Sequence, residues 1–267
     1  AVMDGLVRAV AKGSAVITAE WNSGSKIYTA TCTVRVERPV IRATSEPIDY
    51  DLSLNAAAEL NVGAVGYFSE RSAAEAYAEN GDKIGTFADN VLSFNPSILP
   101  VGEQYITVTN GLLDYEMPVV VATMIVSDKD EFMKIKTEYF TGLRDDPPAP
   151  AENRDGYFIL DADIDFGGEE FKMYGLGGDT LGRIDIHGWF GTLDGRGHII
   201  SRVVFGKNGF TDVMGWNTVI KNVGFVDCSF SDGVGSGLFG EFCYGTIDNC
   251  FFQFNNLKGT GVLGTTL

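Results

Sequence analysis

The sequence has little positive charge. Its 20 lysines and arginines stand against 36 aspartates and glutamates, which gives a formal net charge of −16. A surface this negative repels nucleic acid and anionic lipid, so the composition argues against both as partners. Solubility in a crowded extracellular space is the ordinary reason for such a charge.

Long apolar stretches are also missing. No run approaches the ~20 residues that a membrane-spanning helix needs, and the chain does not open with a basic and then apolar signal segment. We therefore predict no membrane insertion. Residues 1–5 resemble the middle of a strand and turn, so we expect the chain to be part of a longer protein.

Cysteines are few, and none has the C-x-x-C spacing of a metal site. We expect them to be small buried apolar residues, and a disulfide from Cys250 to either Cys228 or Cys243 is the alternative. The four cysteines are Cys32, Cys228, Cys243 and Cys250.

Only two histidines occur, His187 and His198, and no serine or cysteine nucleophile motif accompanies them. We predict that His198 is structural. It follows a turn in which Asp194 bonds its own backbone.

Residues 1–38 alternate in the two-residue period of β-strands, with strands over 16–19 and 27–36 around a polar turn. The wording DGLVRAVAKGSAVITA at 4–19, followed by ATCTVRV at 30–36, closely resembles the C-terminal half of the bacterial immunoglobulin-like group 2 (BIG2) domain. That family forms spacer and adhesion modules, so the resemblance implies an extracellular or cell wall-attached bacterial protein. The absent N-terminal half should leave unpaired strand edges.

Prolines punctuate short apolar strands between residues 39 and 125, which predicts a second β-sandwich of immunoglobulin-like class. Asn110-Gly111 has the composition of a hairpin turn, because both residues tolerate positive φ. Residues 72–79 are the one helix-favouring piece of this region, and an exposed loop with a single turn is the alternative.

Residues 127–140 predict an amphipathic helix. Ser127 is placed to cap it, with an acidic residue three positions on, and Phe132, Ile135 and Tyr139 share one face.

A six-residue phrase occurs three times, as ISRVVF at 200–205, IKNVGF at 220–225 and IDNCFF at 247–252. A second phrase alternates with it, and the period of roughly 20 to 27 residues indicates a solenoid. Equivalent positions of successive coils stack on one another, which predicts three interior ladders. They are Ile200 with Ile220 and Ile247, Val203 with Val223 and Cys250, and Phe205 with Phe225 and Phe252.

The strand YFILDADIDF at 157–166, the segment WFGTLDGRGHII at 189–200 and GLFG at 237–240 resemble right-handed parallel β-helix proteins of bacterial surfaces that carry GLUG-type repeats. The expected fold is therefore all-β: immunoglobulin-like sandwich modules followed by a right-handed parallel β-helix with an N-terminal capping helix. The expected domains are 1–38, 39–125 and 126–267, with further coils expected beyond residue 267.

Asp161, Asp163 and Asp165 alternate along a strand and so share one face. They lack the glycine and the twelfth-position glutamate of an EF-hand loop. We expect an exposed acidic strand face, with bound Ca²⁺ as the less favoured alternative and no other cofactor.

Exposed aromatic side chains would favour sugar binding by stacking, although packing in the core or at a corner is the more common role of aromatic residues. The candidates for ligand binding are Trp189, Trp216, Tyr174 and Tyr244.

The leading functional hypothesis is a non-catalytic adhesion fragment that binds a glycan or a host or bacterial surface protein. A β-helix polysaccharide lyase or glycoside hydrolase is the alternative, and a phage structural or decoration protein is a second one. No candidate group forms a recognisable catalytic motif, so no catalytic residue is assigned. The charged groups considered are Asp185, Asp194, Arg196, Arg202, Lys207, Asp212, Asp227 and Asp232.

Overall fold

The computed structural model describes residues 2–3, 6–7, 13–38, 40–61, 74–88, 91–111, 113–138, 156–171, 188–189, 191–206, 209–210, 213–214, 218–231, 237–239 and 242–256. These residues are mostly β-strand, and several sheets are parallel. The all-β class is thereby confirmed. No helix in the described part of the chain is long and apolar enough to cross a bilayer.

The chain divides into two compact units. Unit 1 comprises residues 1–49, 56–99 and 103–120, and unit 2 comprises residues 50–55, 100–102 and 121–267. The domain boundaries expected at 38/39 and 125/126 stay predictions.

The first twelve strands are β1 (Val2–Met3), β2 (Leu6–Val7), β3 (Gly13–Asn22), β4 (Ile27–Val36), β5 (Val40–Arg42), β6 (Ile48–Asp51), β7 (Ala58–Asn61), β8 (Glu75–Tyr77), β9 (Gly85–Ala88), β10 (Val91–Phe94), β11 (Gly102–Thr109) and β12 (Asp114–Ala122). Within the described ranges, 3-10 turns lie between these strands at Leu52–Leu54 and Pro96–Ile98.

The remaining elements are β13 (Met124–Val126), α1 (Lys129–Glu138), β14 (Tyr157–Leu160), β15 (Ile164–Asp165), β16 (Glu170–Phe171), β17 (Gly188–Trp189), β18 (Thr192–Asp194), β19 (Ile199–Ser201), β20 (Val204–Phe205), β21 (Val213–Met214), β22 (Val219–Lys221), β23 (Gly224–Phe230), β24 (Phe242–Cys243), β25 (Thr246–Asp248) and β26 (Phe251–Asn256).

Unit 1 contains a three-stranded sheet in the order β7-β10-β9 and a larger sheet in the order β5-β12-β11-β8. Leu92, Ile106 and Val108 are fully buried in its core. The predicted turn at Asn110-Gly111 is confirmed: the Asn110 side chain accepts a hydrogen bond from the amide of Leu113 at 3.0 Å, and Gly111 has φ +83°.

The helix-favouring segment 72–79 is corrected where the structure describes it, because Glu75–Tyr77 is the strand β8. It pairs antiparallel with β11, and Ala76 is completely buried. Burial within the sheet outweighs the intrinsic helix preference of alanine and glutamate, which is only a fraction of a kcal/mol per residue.

Unit 2 is built from three parallel sheets. The first has the order β13-β14-β18-β22-β25, and the third has the order β17-β21-β24. The second has the order β15-β19-β23-β20-β16, with β26 also paired to β23. In the first sheet Leu193 pairs with Ile220 and Ile220 with Ile247, so each of these last two steps covers 27 residues.

The interior of unit 2 is dense in phenylalanine. Phe210, Phe225 and Phe239 are buried, and their rings meet edge to face with centroids 5.9 to 6.1 Å apart. This arrangement places the positive ring edge against the negative ring face, which adds to the stabilisation from burial. Helix α1 contributes Phe132 and Ile135 to the same core.

The cap of α1 differs from the prediction by one residue. The Asp128 carboxylate accepts from the amide of Glu131, and the Glu131 carboxylate accepts from the amide of Ser127, both at 2.8 Å. Asp128 is therefore the capping residue, since its carbonyl also accepts the first helical bond from Phe132. Tyr139 lies outside the described residues.

The first predicted ladder, of Ile200 with Ile220 and Ile247, is wrong in the position of Ile200. Ile220 faces Ile247, and Phe225 faces Phe252, but Ile200 pairs with Ile164 and Phe225. Ile200 therefore belongs to the second sheet and Ile220 to the first, so the three isoleucines do not form one ladder.

The other two ladders change in the same way. Phe205 pairs with Phe171 and Phe230 rather than with Phe225. The carbonyl of Val203 accepts from the amide of Ser229, whereas the carbonyl of Val223 accepts from the amide of Phe251, one residue after Cys250.

The predicted ladder partners were wrong because the same local backbone geometry recurs at two corners of the coil. The third residue of each phrase lies in the left-handed region, with φ of 53° at Arg202, 53° at Asn222 and 48° at Asn249. Asp227 has φ 53° as well. The segment ISRVVF at 200–205 therefore stacks on residues 225–230 of the next coil. The repeated phrase marks a corner geometry that occurs more than once in a coil, so it does not by itself give the coil period.

All four cysteines are free thiols, so neither predicted disulfide alternative is present. Cys228 and Cys243 are buried and Cys250 is half-buried, and burial raises the pKa of all three, that of Cys228 to about 11. Cys32 corrects the expectation of burial, because it is exposed on β4.

Candidate functional site

The candidate site is the outward face of the second sheet of unit 2, called here the outer face. It consists of the outward side chains of β15, β19, β23 and β26 and of the corner residues beside them. Its members are Asp163, Asp165, His198, Ile199, Ser201, Arg202, Gly224, Val226, Asp227, Phe251 and Gln253.

Strand alternation places these side chains outward. Ile164, Ile200, Phe225 and Phe252 are register partners that point into the core, so their chain neighbours point to solvent. Phe251 is 60% exposed as a result.

A flat apolar strip crosses the outer face. Gly224 pairs with Ile199 on one side and with Phe251 on the other. A methyl group on Gly224 would lie 3.3 Å from the Ile199 side chain, so Ile199 packs over the glycine and a larger residue there would have to displace it. Phe251 is the most exposed apolar side chain of this strip and is accessible to a ligand lying on the sheet.

Ordered polar groups flank this strip at the corner of the coil. The Arg202 guanidinium donates through Nε to Asp165 Oδ1 at 2.7 Å, and a second nitrogen of Arg202 donates to Asp165 Oδ2. Asp165 also accepts from the amide of Gly167 at 2.9 Å. Arg202 first and Gly167 second lower the pKa of Asp165 to about 2, so this carboxylate is ionised at neutral pH.

Asp163 is held in the same manner. Its Oδ1 accepts from the amide of Ile199 at 2.9 Å and lies 3.1 Å from His198 Nδ1. These two contacts, the amide first, lower the pKa of Asp163. The carboxylate in turn holds His198 at the edge of the outer face, in agreement with a structural histidine.

Amide side chains fix the next coil. Gln253 Nε2 donates to Asp227 Oδ1 at 3.2 Å, and Asn255 Nδ2 donates to the carbonyl of Asp227, also at 3.2 Å. Fixed planar donors and acceptors therefore lie within a few strand spacings of the exposed ring of Phe251, and neighbouring strands are ~4.8 Å apart.

The acidic triplet does not converge on one point. Asp161, Asp163 and Asp165 are all exposed, as expected from their spacing, but Asp163 and Asp165 each have separate partners. The described residues contain no group of three or more histidine, cysteine, aspartate or glutamate side chains arranged for a metal ion.

A second polar cluster is buried at the corner between β18 and β22. Asp194 Oδ1 accepts from Asn222 Nδ2 at 3.0 Å and from the amide of Arg196 at 3.1 Å. Its Oδ2 accepts from the Tyr157 hydroxyl at 3.3 Å and lies 3.5 Å from Lys221 Nζ. This confirms that Asp194 bonds its own backbone, and its contacts mark it as a corner residue.

The cluster continues along the stack of coils. Asn249 Nδ2 donates to Asn222 Oδ1 at 2.8 Å, so equivalent asparagines of neighbouring coils bond to each other. Gly195 allows the coils to approach, because a Cβ there would lie 2.5 Å from the carbonyl oxygen of Asn222.

The aromatic residues proposed from sequence as ligand-binding candidates do not lie on the outer face where the structure describes their side chains. Tyr244 is half-buried, and its amide donates to the carbonyl of Met214. Trp189 lies in β17 by its backbone, paired with Met214, and its side chain is outside the described set. Trp216 and Tyr174 lie outside the described residues, as do His187, Asp185, Lys207, Asp212 and Asp232.

Phe251 is the residue that the sequence interpretation missed. The signal was present: if Phe252 is the interior member of IDNCFF, strand alternation turns Phe251 outward.

No protein-family model, no curated protein and no solved structure matches this chain.

Proposed function

We propose that this chain is a non-catalytic binding region of a bacterial cell-surface or secreted protein, and that the outer face binds a glycan or a host or bacterial surface protein. Unit 1 would then act as a spacer of immunoglobulin-like class. The resemblance of residues 1–38 to BIG2 modules and of residues 126–267 to GLUG-type coils supports the extracellular setting.

In this proposal unit 2 is a right-handed parallel β-helix. The support is the parallel pairing of its three sheets, the two successive 27-residue steps from β18 to β25 and the stacked asparagines at the corner. Such a solenoid presents long flat faces, on which binding residues lie in rows.

The observation that carries the functional proposal is the exposed Phe251 beside Gly224. The C–H face of a sugar ring is apolar and stacks on an aromatic ring, while its hydroxyl groups need hydrogen-bonding partners nearby. The outer face offers both: an accessible ring and, at the adjacent corners, the fixed polar groups of Arg202, Asp165 and Gln253.

The proposal is tested by probing the whole chain on a glycan array and then measuring the affinity for the best ligand by calorimetry. Phe251→Ala is expected to weaken binding at least about tenfold, the effect of losing a central aromatic contact worth ~1.4 kcal/mol. Ile98→Ala is the matched control, since Ile98 is also an exposed apolar side chain but lies in unit 1.

Unchanged affinity in Phe251→Ala would remove the outer face from the proposal. The absence of any bound glycan or surface protein would contradict the binding function itself. Release of shortened or unsaturated sugar products during incubation would replace it with the β-helix enzyme alternative.

A further inference from the structure

The outer face is negatively charged. Its described residues carry three carboxylates, those of Asp163, Asp165 and Asp227, and a single guanidinium, that of Arg202. Three negative charges and one positive charge give a formal charge of −2 with His198 neutral and of −1 with His198 protonated. The face therefore has the same sign as the whole chain, whose formal charge is −16. A ligand that lies on it meets a negative potential.

The guanidinium of Arg202 is already bound to a carboxylate. Its Nε donates to Asp165 Oδ1 at 2.7 Å, and a second nitrogen donates to Asp165 Oδ2, which makes a strong pair of fixed geometry. Lys129 of α1 also interacts with the charge of Asp165, but its Nζ donates to Glu169 Oε1 at 2.7 Å. An acidic sugar that took Arg202 would leave Asp165 without its cation, next to the negative charge of the sugar.

The carboxylates of Asp163 and Asp227 are held through only one of their two oxygens. Asp163 Oδ1 accepts from the amide of Ile199 and lies 3.1 Å from His198 Nδ1, and Asp227 Oδ1 accepts from Gln253 Nε2. Among the described contacts none involves Oδ2 of either residue, and both residues are exposed, Asp163 by 68% of its side chain. Because an ionised carboxylate only accepts hydrogen bonds, these oxygens suit the hydroxyl and ammonium groups of a ligand.

Asp163 lies in line with the exposed ring of Phe251. Ile199, Gly224 and Phe251 are register partners in successive strands, and Asp163 bonds the amide of Ile199 from the preceding coil. Three strand spacings separate the carboxylate from the ring, which is ~14 Å along the stack. A ligand that stacks on Phe251 and extends along this row therefore brings its next groups towards Asp163.

We propose that the outer face selects glycans without acidic groups, so that neutral and amino sugars bind and uronic, sialic or sulfated sugars are rejected. This inference rests on the glycan-binding function proposed above. Asp163 and Asp227 accept from hydroxyl and ammonium groups, whereas they repel a carboxylate or sulfate of the ligand. Two like charges ~8 Å from an acidic group of the ligand raise its dissociation constant about fivefold in water.

A glycan array that presents one sugar skeleton in several charge forms tests the selection. Oligosaccharides of β-1,4-linked glucose, glucosamine and glucuronic acid form one series, and sulfated and desulfated galactans form another. The full chain is expected to bind the neutral or amino member at least about fivefold more tightly than the acidic member at low salt. Added salt should reduce this ratio because it screens the repulsion. A ratio that does not change with salt would overturn the inference, since shape and not charge would then decide.

Two double variants locate the source of the selection. Asp163→Asn with Asp227→Asn removes both charges and keeps, in each side chain, an oxygen that can still accept. The ratio between neutral and acidic ligands is expected to fall at least about threefold. Glu20→Gln with Glu59→Gln is the matched control, because it changes the net charge equally at two exposed residues of unit 1. An equal fall in both double variants would assign the selection to the net charge of the chain and overturn the inference.

The same measurements separate failure of the selection from failure of the binding function. Tighter binding of the acidic members, weakened by Phe251→Ala, would overturn the selection and leave the outer face as the binding surface. Absence of any bound glycan would remove the selection together with the glycan part of the proposed function.

Discussion

Replacing Phe225 with alanine is expected to lower the free energy of unfolding of unit 2 by about 3–5 kcal/mol, the usual cost of deleting a fully buried phenylalanine ring. Phe225 is completely buried, and its ring contacts those of Phe210, Phe239 and Phe252. It also pairs with Ile200 in the neighbouring strand. The substitution therefore leaves a cavity at a point where two corners and two coils meet.

Hydrogen exchange of the backbone amides in β19 and β23 measures this effect in unit 2 itself, and urea unfolding gives the free energy. Phe251→Ala is the matched control, because it removes the same ring from an outward position of the adjacent strand. We expect it to change stability by no more than about 0.5 kcal/mol, as for most surface substitutions. Similar losses in both variants would contradict the inward and outward assignment of β23 and β26.

The contrast between Phe225 and Phe251 shows how far the sequence could predict the fold. Period and pattern were sufficient for parallel coils and for an interior position of Phe225 and Phe252. They were not sufficient for the register of the first copy. Both corners accept the same pattern, in which a residue with positive φ stands between two apolar residues. The sequence pattern therefore cannot distinguish the two corners, and only the hydrogen bonding between strands does so.

The candidate site was harder to predict for a related reason. Tryptophan and tyrosine were favoured as binding residues by type, whereas exposure depends on which side of a strand a residue occupies. Phenylalanine is a less obvious binding residue than tryptophan or tyrosine, but Phe251 has the outward position. The capping of α1 by Asp128 instead of Ser127 is a smaller error of this sort, since neighbouring residues with similar capping preference compete and the helix start decides between them.

Asp194→Ala is expected to destabilise unit 2 by about 3 kcal/mol, at the lower end of the range for breaking a buried ion pair. The carboxylate side chain is only 4% exposed, and its removal takes away the hydrogen bonds that it accepts from the Tyr157 hydroxyl and from the Asn222 amide. Lys221 and Arg196 keep partial access to water, which moderates the loss. Asp248→Ala is the matched control, because Asp248 holds the equivalent position two coils on and is exposed.

The same carboxylate predicts a pH dependence of defined sign. Burial is the largest single effect and would raise the pKa of Asp194, but the Asn222 amide, the Arg196 backbone N–H and the charges of Lys221 and Arg196 together outweigh it. The pKa is therefore lower in the folded chain than the ~3.9 of an unfolded aspartate. Its stabilisation is complete above about pH 4 and is lost as the pH falls through the folded pKa.

Asp194→Asn separates this contribution from that of the other carboxylates. Asparagine keeps the shape and still accepts from the Arg196 amide, but it has no charge for Lys221 and cannot titrate. Asp163 and Asp165 remain in both proteins, so their acid sensitivity cancels in the comparison. The difference in unfolding free energy between wild type and Asp194→Asn should be largest at neutral pH and should shrink below pH 4, as urea unfolding from pH 7 to pH 2.5 would measure. A constant difference across that range would mean that Asp194 has the same pKa in the folded and the unfolded chain, which would contradict the stabilisation of its charge by Lys221 and Arg196.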